Sequence, residues 1–121
     1  MKKVMIVDDN SLAAEGIEKN IRWEELDAQV AIIQYNSRSA LEAMKETPVD
    51  LIISDIEMPD LDGISMSKLA LSINPQVKII LVSAYDKFEY AKRAIRPLMT
   101  EKFFSDLLRY PGEDASSHLG H

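Results

Sequence analysis

The sequence predicts an α/β domain in which helices cover a parallel β-sheet. Short runs rich in Val, Ile and Leu alternate with amphipathic segments along most of the chain. Strands that alternate with helices form parallel sheets through right-handed crossovers. In addition, acidic residues directly follow two of the apolar runs. Polar groups at the carboxyl ends of strands are typical of α/β sheets that bind a ligand there.

Four apolar runs are predicted strands, comprising residues 4–7, 29–35, 49–54 and 77–82. Runs of branched apolar side chains without strict alternation are expected where a strand is buried on both faces. Each run is followed by a segment with helical spacing, so the predicted order is β-α-β-α-β-α-β-α.

Each predicted helix has a residue that can cap its N-terminus. The candidate caps are Asn10 or Ser11, Ser37, Asp62, and Asp86 with Glu89 in the spacing of a capping box. The first helix carries a recurring set of residues at helical spacing, namely Leu12, Ala13, Gly16, Ile17, Asn20 and Ile21. Trp23 follows that helix and is expected to be a packing residue rather than a ligand.

Composition and charge exclude several classes of function. The chain has 121 residues, of which 46% are hydrophobic, and a net charge of −6. This length suits one domain. The negative net charge does not favour binding to nucleic acid or to an anionic membrane. There is no cysteine, so no disulfide can form. No apolar run is long enough for a membrane span or a signal peptide, and we expect a cytoplasmic protein.

Three aspartates are expected to meet at one edge of the sheet. Asp8 and Asp9 directly follow the first apolar run, and Asp55 directly follows the third. The carboxyl ends of parallel strands lie at the same edge, and three carboxylates in one crevice repel each other unless a hard divalent cation joins them. The sequence therefore predicts an acidic Mg²⁺ pocket.

The chain resembles the receiver domain of bacterial two-component response regulators. The resemblance extends over residues 2–95 and rests on Asp8-Asp9, Asp55, Met58-Pro59-x-x-Asp62-Gly63 and Ser83-Ala84, each at a predicted strand end or in the following turn. The segment 83–92 is similar to receivers that precede AraC-type DNA-binding domains. The resemblance implies a flavodoxin-like, doubly wound sheet with strand order 2-1-3-4-(5).

The resemblance also implies a phosphorylation site. Asp55 would accept a phosphoryl group from a sensor histidine kinase, and Ser83 would donate a hydrogen bond to that group. Asp8, Asp9, Asp55 and the backbone carbonyl of Glu57 would hold Mg²⁺. Phosphorylation would switch an output, expected to be transcription, and the domain would catalyse at most its own phosphorylation.

The C-terminal part of the chain departs from the family pattern. Receivers carry a lysine followed by proline at the end of a fifth strand, but the usual spacing leads to Ser105, and neither Lys102 nor Arg96 fits. We therefore expect a receiver core at residues 1–96, an atypical helix at 97–110 and a flexible tail at 111–121. Either residues have been deleted, or the C-terminal segment is foreign to the family; the second is slightly favoured.

Three further expectations follow from this departure. An apolar strand without its neighbour can pair with another chain, which suggests a homodimer, through exchange of the C-terminal segment. A receiver without its lysine could also act only as an interaction module with impaired phosphorylation. A Mg²⁺-dependent phosphatase of the haloacid dehalogenase type is a third alternative, although that class has Asp-x-Asp where this chain has Asp8-Asp9-Asn10.

Overall fold

The computed structural model describes residues 1–82, which form four strands and three α-helices in alternation. A short 3₁₀ helix, Trp23–Leu26, joins the first helix to the second strand. The other elements in chain order are β1 (Lys2–Val7), α1 (Ser11–Asn20), β2 (Ala28–Gln34), α2 (Ser37–Glu46), β3 (Leu51–Asp55), α3 (Gly63–Ile73) and β4 (Lys78–Val82).

All four strands are parallel, and their order in the sheet is β2-β1-β3-β4. The sheet has an apolar core on each face. One core joins the sheet to α1 through Ala14 and Ile17. The other joins it to α2 and α3 through Met44, Met66 and Ala70. The predicted doubly wound fold with strand order 2-1-3-4 is confirmed for the described residues.

Most predicted elements lie where the pattern indicates, with boundaries shifted by one or two residues. Asn10 caps α1 by accepting from the backbone N–H groups of Leu12 and Ala13 at 3.0 and 3.2 Å. Trp23 is a packing residue as predicted, because it is buried in the α1 core and its indole N–H donates to the Glu18 carbonyl at 2.9 Å.

One prediction about a helix cap is wrong. The cap of α2 is Asn36, whose side chain accepts from the Ser39 backbone N–H at 2.8 Å, whereas Ser37 is the first helical residue and is buried. Leu12 shares the helical spacing of Ile17, yet it is 77% exposed. It lies in the first turn of α1.

The pairing of β2 with β1 contains a bulge that the sequence pattern does not reveal. The register shifts by one residue between Val4 and Met5 of β1, and the exposed Ala31 of β2 has no partner there. After the shift, the adjacent residues Ile32 and Ile33 pack on opposite faces of the sheet. Because of the extra residue, Ile32 and Ile33 rather than Ala31 and Ile32 lie opposite Met5 and Ile6 of β1.

Several predictions fall outside the described residues. They concern the fourth helix with Asp86 and Glu89, the fifth strand, the helix at 97–110 and the tail at 111–121. The homodimer through C-terminal exchange depends on the same part of the chain. Within residues 1–82, no helix is both long and apolar enough to cross a lipid bilayer.

The packing of α3 can be tested with two variants of the same helix. Met66 is fully buried in the α2/α3 core, whereas Leu69 is 48% exposed. We expect Met66→Ala to lower the free energy of unfolding by about 2–5 kcal/mol, because a large side chain leaves a cavity in the core. Leu69→Ala should change it by less than about 1 kcal/mol. Urea denaturation measures both values, and similar losses in the two variants would contradict the described packing.

Candidate metal centre at the carboxyl edge of the sheet

The register of the two central strands aligns two carboxylates. In the parallel ladder of β1 and β3, Val7 pairs with Ser54. The next residues along the two strands are Asp8 and Asp55, and neighbouring strands lie about 4.8 Å apart. Side chains alternate between the faces of a sheet, so these two aspartates emerge on the same face as each other. The predicted meeting of acids at one edge thus follows directly from the strand register.

The three predicted acids form one cluster. Asp8, Asp9 and Asp55 each offer a carboxylate oxygen, and these oxygens all lie within 4.8 Å of one another. Asp8 and Asp55 are 1% and 4% exposed, whereas Asp9 is exposed to solvent. In an octahedral Mg²⁺ site with bonds of about 2.1 Å, ligand oxygens on opposite sides are about 4.2 Å apart. The cluster therefore has nearly the span of such a site before any adjustment.

Backbone hydrogen bonds hold the Asp8 carboxylate in place. The Asn10 backbone N–H donates to Oδ1 of Asp8 at 2.9 Å, and the Asp8 backbone N–H donates to the Gln34 carbonyl at the end of β2 at 3.1 Å. Asn10 in turn caps α1. The acidic turn, the strand end and the helix start are thus linked by short local contacts, which reduces the motion available to the carboxylate.

The backbone of Asp55 is packed closely on the opposite side. The buried Ser54 hydroxyl donates to the Asp55 carbonyl at 2.9 Å. Gly63, the first residue of α3, lies so close that a β-carbon there would come within 2.1 Å of the Asp55 carbonyl oxygen. The Gly63 backbone N–H also donates to the Ile56 carbonyl at 2.8 Å. Only a glycine allows α3 to begin directly against the strand end that carries Asp55.

The sequence pattern did not single out Ser54 or this contact of Gly63. Ser54 is a polar residue inside a buried apolar run, and buried hydroxyls are almost always hydrogen-bonded. That signal could have indicated a specific contact, although not its partner. Gly63 was recognised as part of a turn motif, but its role in close packing depends on where α3 meets β3.

Two other predicted site residues are less well defined by the geometry. Glu57 has an exposed side chain and follows Asp55 by two residues. The role of its backbone carbonyl as a Mg²⁺ ligand stays a prediction. Ser83 comes directly after the last described residue of β4 and lies outside the described residues. Since Asp55 pairs with Val82 in the β3–β4 ladder, the chain leaves β4 beside the acidic cluster.

The loop between β3 and α3, residues 56–62, ends in a capped helix start. The Ser65 backbone N–H donates to the Asp62 carboxylate at 2.7 Å and holds the pKa of that side chain below its ordinary value of 3.8. Asp62 is therefore the cap of α3, as predicted. Asp60 in the same loop forms an exposed ion pair with Arg38 of α2, and the hydrogen bond from Arg38 lowers the pKa of Asp60.

The whole arrangement matches a known family. Residues 4–103 match the family described as response regulator receiver domain, which is most of the chain. This chain belongs to the response regulator receiver domains. The resemblance drawn from the acids and turn motifs is thereby confirmed, and the match favours a receiver over the phosphatase alternative.

Relatives of this receiver domain include regulatory proteins from several bacteria. The chain is 31% identical over 96 residues to the transcriptional regulatory protein YesN of Bacillus subtilis, a match that covers 79% of this chain and 26% of YesN. It is 36% identical over 93 residues to the Fimbriae Z protein of Salmonella typhimurium, covering 77% of this chain and 44% of that protein. The chain thus spans less than half the length of these relatives.

Solved receiver structures have the same fold. The REC domain of AraT, a response regulator from Geobacillus stearothermophilus, has a TM-score of 0.66 and 26% identity, and the match covers 97% of this chain and 98% of that one. The response regulator domain of Thermotoga maritima CheB has a TM-score of 0.64 at 22% identity, covering 90% of this chain and 97% of that one. The second likeness concerns the fold alone.

The close contact at Gly63 predicts opposite effects of one substitution at two glycines. In Gly63→Ala the added β-carbon would overlap the Asp55 backbone, and we expect a loss of about 1–3 kcal/mol in unfolding free energy. In Gly16→Ala, at an open position within α1, nothing lies within 4 Å of the new atom. That change should stabilise the protein by about 0.5–1 kcal/mol. Urea denaturation measures the unfolding free energy of both variants. A Gly63→Ala protein as stable as the parent would refute the contact.

The cap at Asp62 predicts a pH effect. Because its folded pKa lies below 3.8, the charged cap contributes stability above that pH, and the contribution is lost as the pH falls through the folded pKa. Asp62→Asn keeps an acceptor that does not titrate. We expect the melting-temperature difference between the parent and Asp62→Asn to be constant between pH 7 and 5, above both the ordinary and the folded pKa of Asp62. The difference should shift against the parent as the pH falls through the folded pKa. A difference that stays constant throughout would contradict the assignment.

Proposed function

We propose that this receiver domain accepts a phosphoryl group on Asp55 from a phosphohistidine of a sensor kinase. The observation that carries the proposal is the cluster of Asp8, Asp9 and Asp55, whose oxygens lie within 4.8 Å of one another at the sheet edge. Membership of the receiver family supports it. The domain is then a signalling module whose only chemistry is its own phosphorylation.

The donor set of the cluster fits Mg²⁺. All the proposed ligands are oxygens, which hard divalent cations prefer, and the exposed Asp9 leaves one side of the site open to water, as Mg²⁺ sites require. Asp8, Asp9, Asp55 and the Glu57 carbonyl would hold the ion. Bound Mg²⁺ would supply positive charge next to the phosphoryl oxygens, which a carboxylate nucleophile needs in order to approach them.

The transfer itself is a simple exchange of bonds. A carboxylate oxygen of Asp55 forms a bond to phosphorus, while the bond from phosphorus to the histidine ring nitrogen breaks and its electron pair stays on the ring. Positioning dominates such a step. The Ser54 hydrogen bond and the Gly63 contact fix the backbone that carries Asp55. The proposed Ser83 hydroxyl would then donate to the new phosphoryl group.

The rate of this transfer is proposed to be low. The sequence has Ser105 at the spacing where the family pattern has a lysine. Arg96 is not equivalent, because a planar guanidinium does not replace a compact ammonium at a point-charge site. A small phosphodonor should therefore modify Asp55 slowly, and a receiver that acts only through protein contacts is the limiting case.

The partners and output are proposed from the relatives. YesN carries the name of a transcriptional regulatory protein, and this chain matches only 26% of it. We propose a histidine kinase as the phosphodonor, transcription as the regulated process and the cytoplasm as the place where both meet. We also propose that the protein forms a homodimer. Measuring the mass of the protein in solution at high concentration tests this proposal.

The proposed site predicts a selective loss of Mg²⁺ binding. Asp9→Asn removes one ligand charge at an exposed position, and we expect the Mg²⁺ affinity to fall about tenfold or more. Asp27→Asn is the matched control. It makes the same charge change in the left-handed residue before β2, at the opposite edge of the sheet, where φ is 53° and asparagine is tolerated. Titration calorimetry with MgCl₂ should give parental affinity for Asp27→Asn.

Phosphorylation of the parent protein and of Asp55→Asn provides the second measurement. Incubation with an acyl phosphate and Mg²⁺, followed by intact-protein mass spectrometry, should show slow addition of one phosphoryl group. Asp55→Asn should show none, since the accepting carboxylate is gone. Modification that persists in Asp55→Asn would refute the acceptor assignment. An equal loss of Mg²⁺ affinity in Asp9→Asn and Asp27→Asn would refute the ligand assignment.

A further inference from the structure

Ser37 is a buried polar residue that the proposed chemistry does not use. It is the first residue of α2 and is 2% exposed. Its hydroxyl donates to the Leu61 carbonyl at 2.8 Å. The Met58 sulfur lies 3.9 Å from the Ser37 hydroxyl oxygen. Both partners belong to the β3–α3 loop, more than twenty residues away in sequence. A buried hydroxyl with a long-range partner fixes the relative position of two elements.

The β3–α3 loop is otherwise closed by its own backbone. Gly63 donates to the Ile56 carbonyl at 2.8 Å across the base of the loop, and the Leu61 N–H donates to the Pro59 carbonyl at 2.9 Å near its tip. These bonds give the loop a compact shape, but they do not attach its far side to the domain. Ser37 provides a buried attachment there.

An exposed contact lies beside the buried one. Arg38 pairs with Asp60 at 2.5 Å, and both side chains are about two-thirds exposed. Surface ion pairs contribute little because solvent screens them. The buried Ser37 hydrogen bond is therefore the contact that would be costly to lose, since its removal leaves the Leu61 carbonyl without that donor.

This attachment bears on the proposed cation site through Glu57. Its peptide lies between two restrained residues. On one side the Ile56 N–H donates to the Val82 carbonyl at 3.0 Å, and on the other Met58 is 8% exposed and packed in the α2/α3 core. Ser37 contacts the Met58 sulfur directly. The position of the Glu57 peptide is therefore coupled to those of Met58 and the strand end.

We propose that Ser37 is a positioning residue for the Mg²⁺ site, because its hydroxyl holds the loop that presents the Glu57 carbonyl. This inference rests on the proposed function, specifically on Glu57 as a cation ligand. Ser37 does not touch the cation or the phosphoryl group. It acts through Met58 and Leu61, and its loss weakens cation binding while the three carboxylates stay in place.

The test compares two buried serines that each donate to a backbone carbonyl. Ser37→Ala removes the bond to the loop. Ser67→Ala removes a bond of 2.7 Å from Ser67 to the Gly63 carbonyl within α3 and serves as the control. Titration calorimetry with MgCl₂ should show about a tenfold loss of affinity for Ser37→Ala and parental affinity for Ser67→Ala. The backbone amide resonances of residues 57–61 should shift in Ser37→Ala alone.

Each outcome has a defined meaning. Parental Mg²⁺ affinity in Ser37→Ala overturns the inference and leaves the proposed function intact. Equal losses in Ser37→Ala and Ser67→Ala also overturn it, because they indicate general destabilisation. A parent protein that binds no Mg²⁺ overturns the proposed site itself. If Ser37→Ala does not fold, Ser37→Cys carries the test, because its S–H is only a weak donor and its larger sulfur cannot reproduce the 2.8 Å bond to the Leu61 carbonyl. A loss of Mg²⁺ affinity supports the inference there, and parental affinity overturns it.

Discussion

The parallel register of β1 with β3 is the constraint on which the rest of the site depends. Because Val7 lies opposite Ser54, Asp8 and Asp55 follow at the same level and on the same face. A shift of one residue would turn one carboxylate toward the α2/α3 core and separate the pair. The register is fixed in turn by the apolar side chains that alternate between the two cores. The position of the acids is therefore a consequence of hydrophobic packing far from them.

Contacts to backbone carbonyls hold the strand end that carries Asp55. Ser54 and Gly63 restrain its carbonyl, and the loop that follows is closed by Gly63 at its base and attached through Ser37 at its far side. The one described ion pair of this loop, between Arg38 and Asp60, is exposed. The bonds from Ser54 and Gly63 are made to backbone carbonyl oxygens. They fix the geometry of the strand end and of the loop that follows it.

Much of this could be predicted from sequence because the signals are local. Apolar runs indicated the strands, a capping residue such as Asp62 indicated a helix start, and the rule for parallel sheets brought the acids together. The bulge at Ala31 could not be predicted, since it exists only in relation to the pairing of β2 with β1. Asn36 and Ser37 are adjacent and both suited to capping. The choice between them is settled by a hydrogen bond from Ser37 to a loop twenty-four residues away, which no local pattern encodes.

The acidic cluster also links stability to binding. Asp8 and Asp55 are almost fully buried, and taking charges out of water costs several kcal/mol unless other groups compensate. Carboxylates whose oxygens lie within 4.8 Å of one another repel when they are ionised. The cation proposed above would relieve that repulsion and stabilise the folded domain.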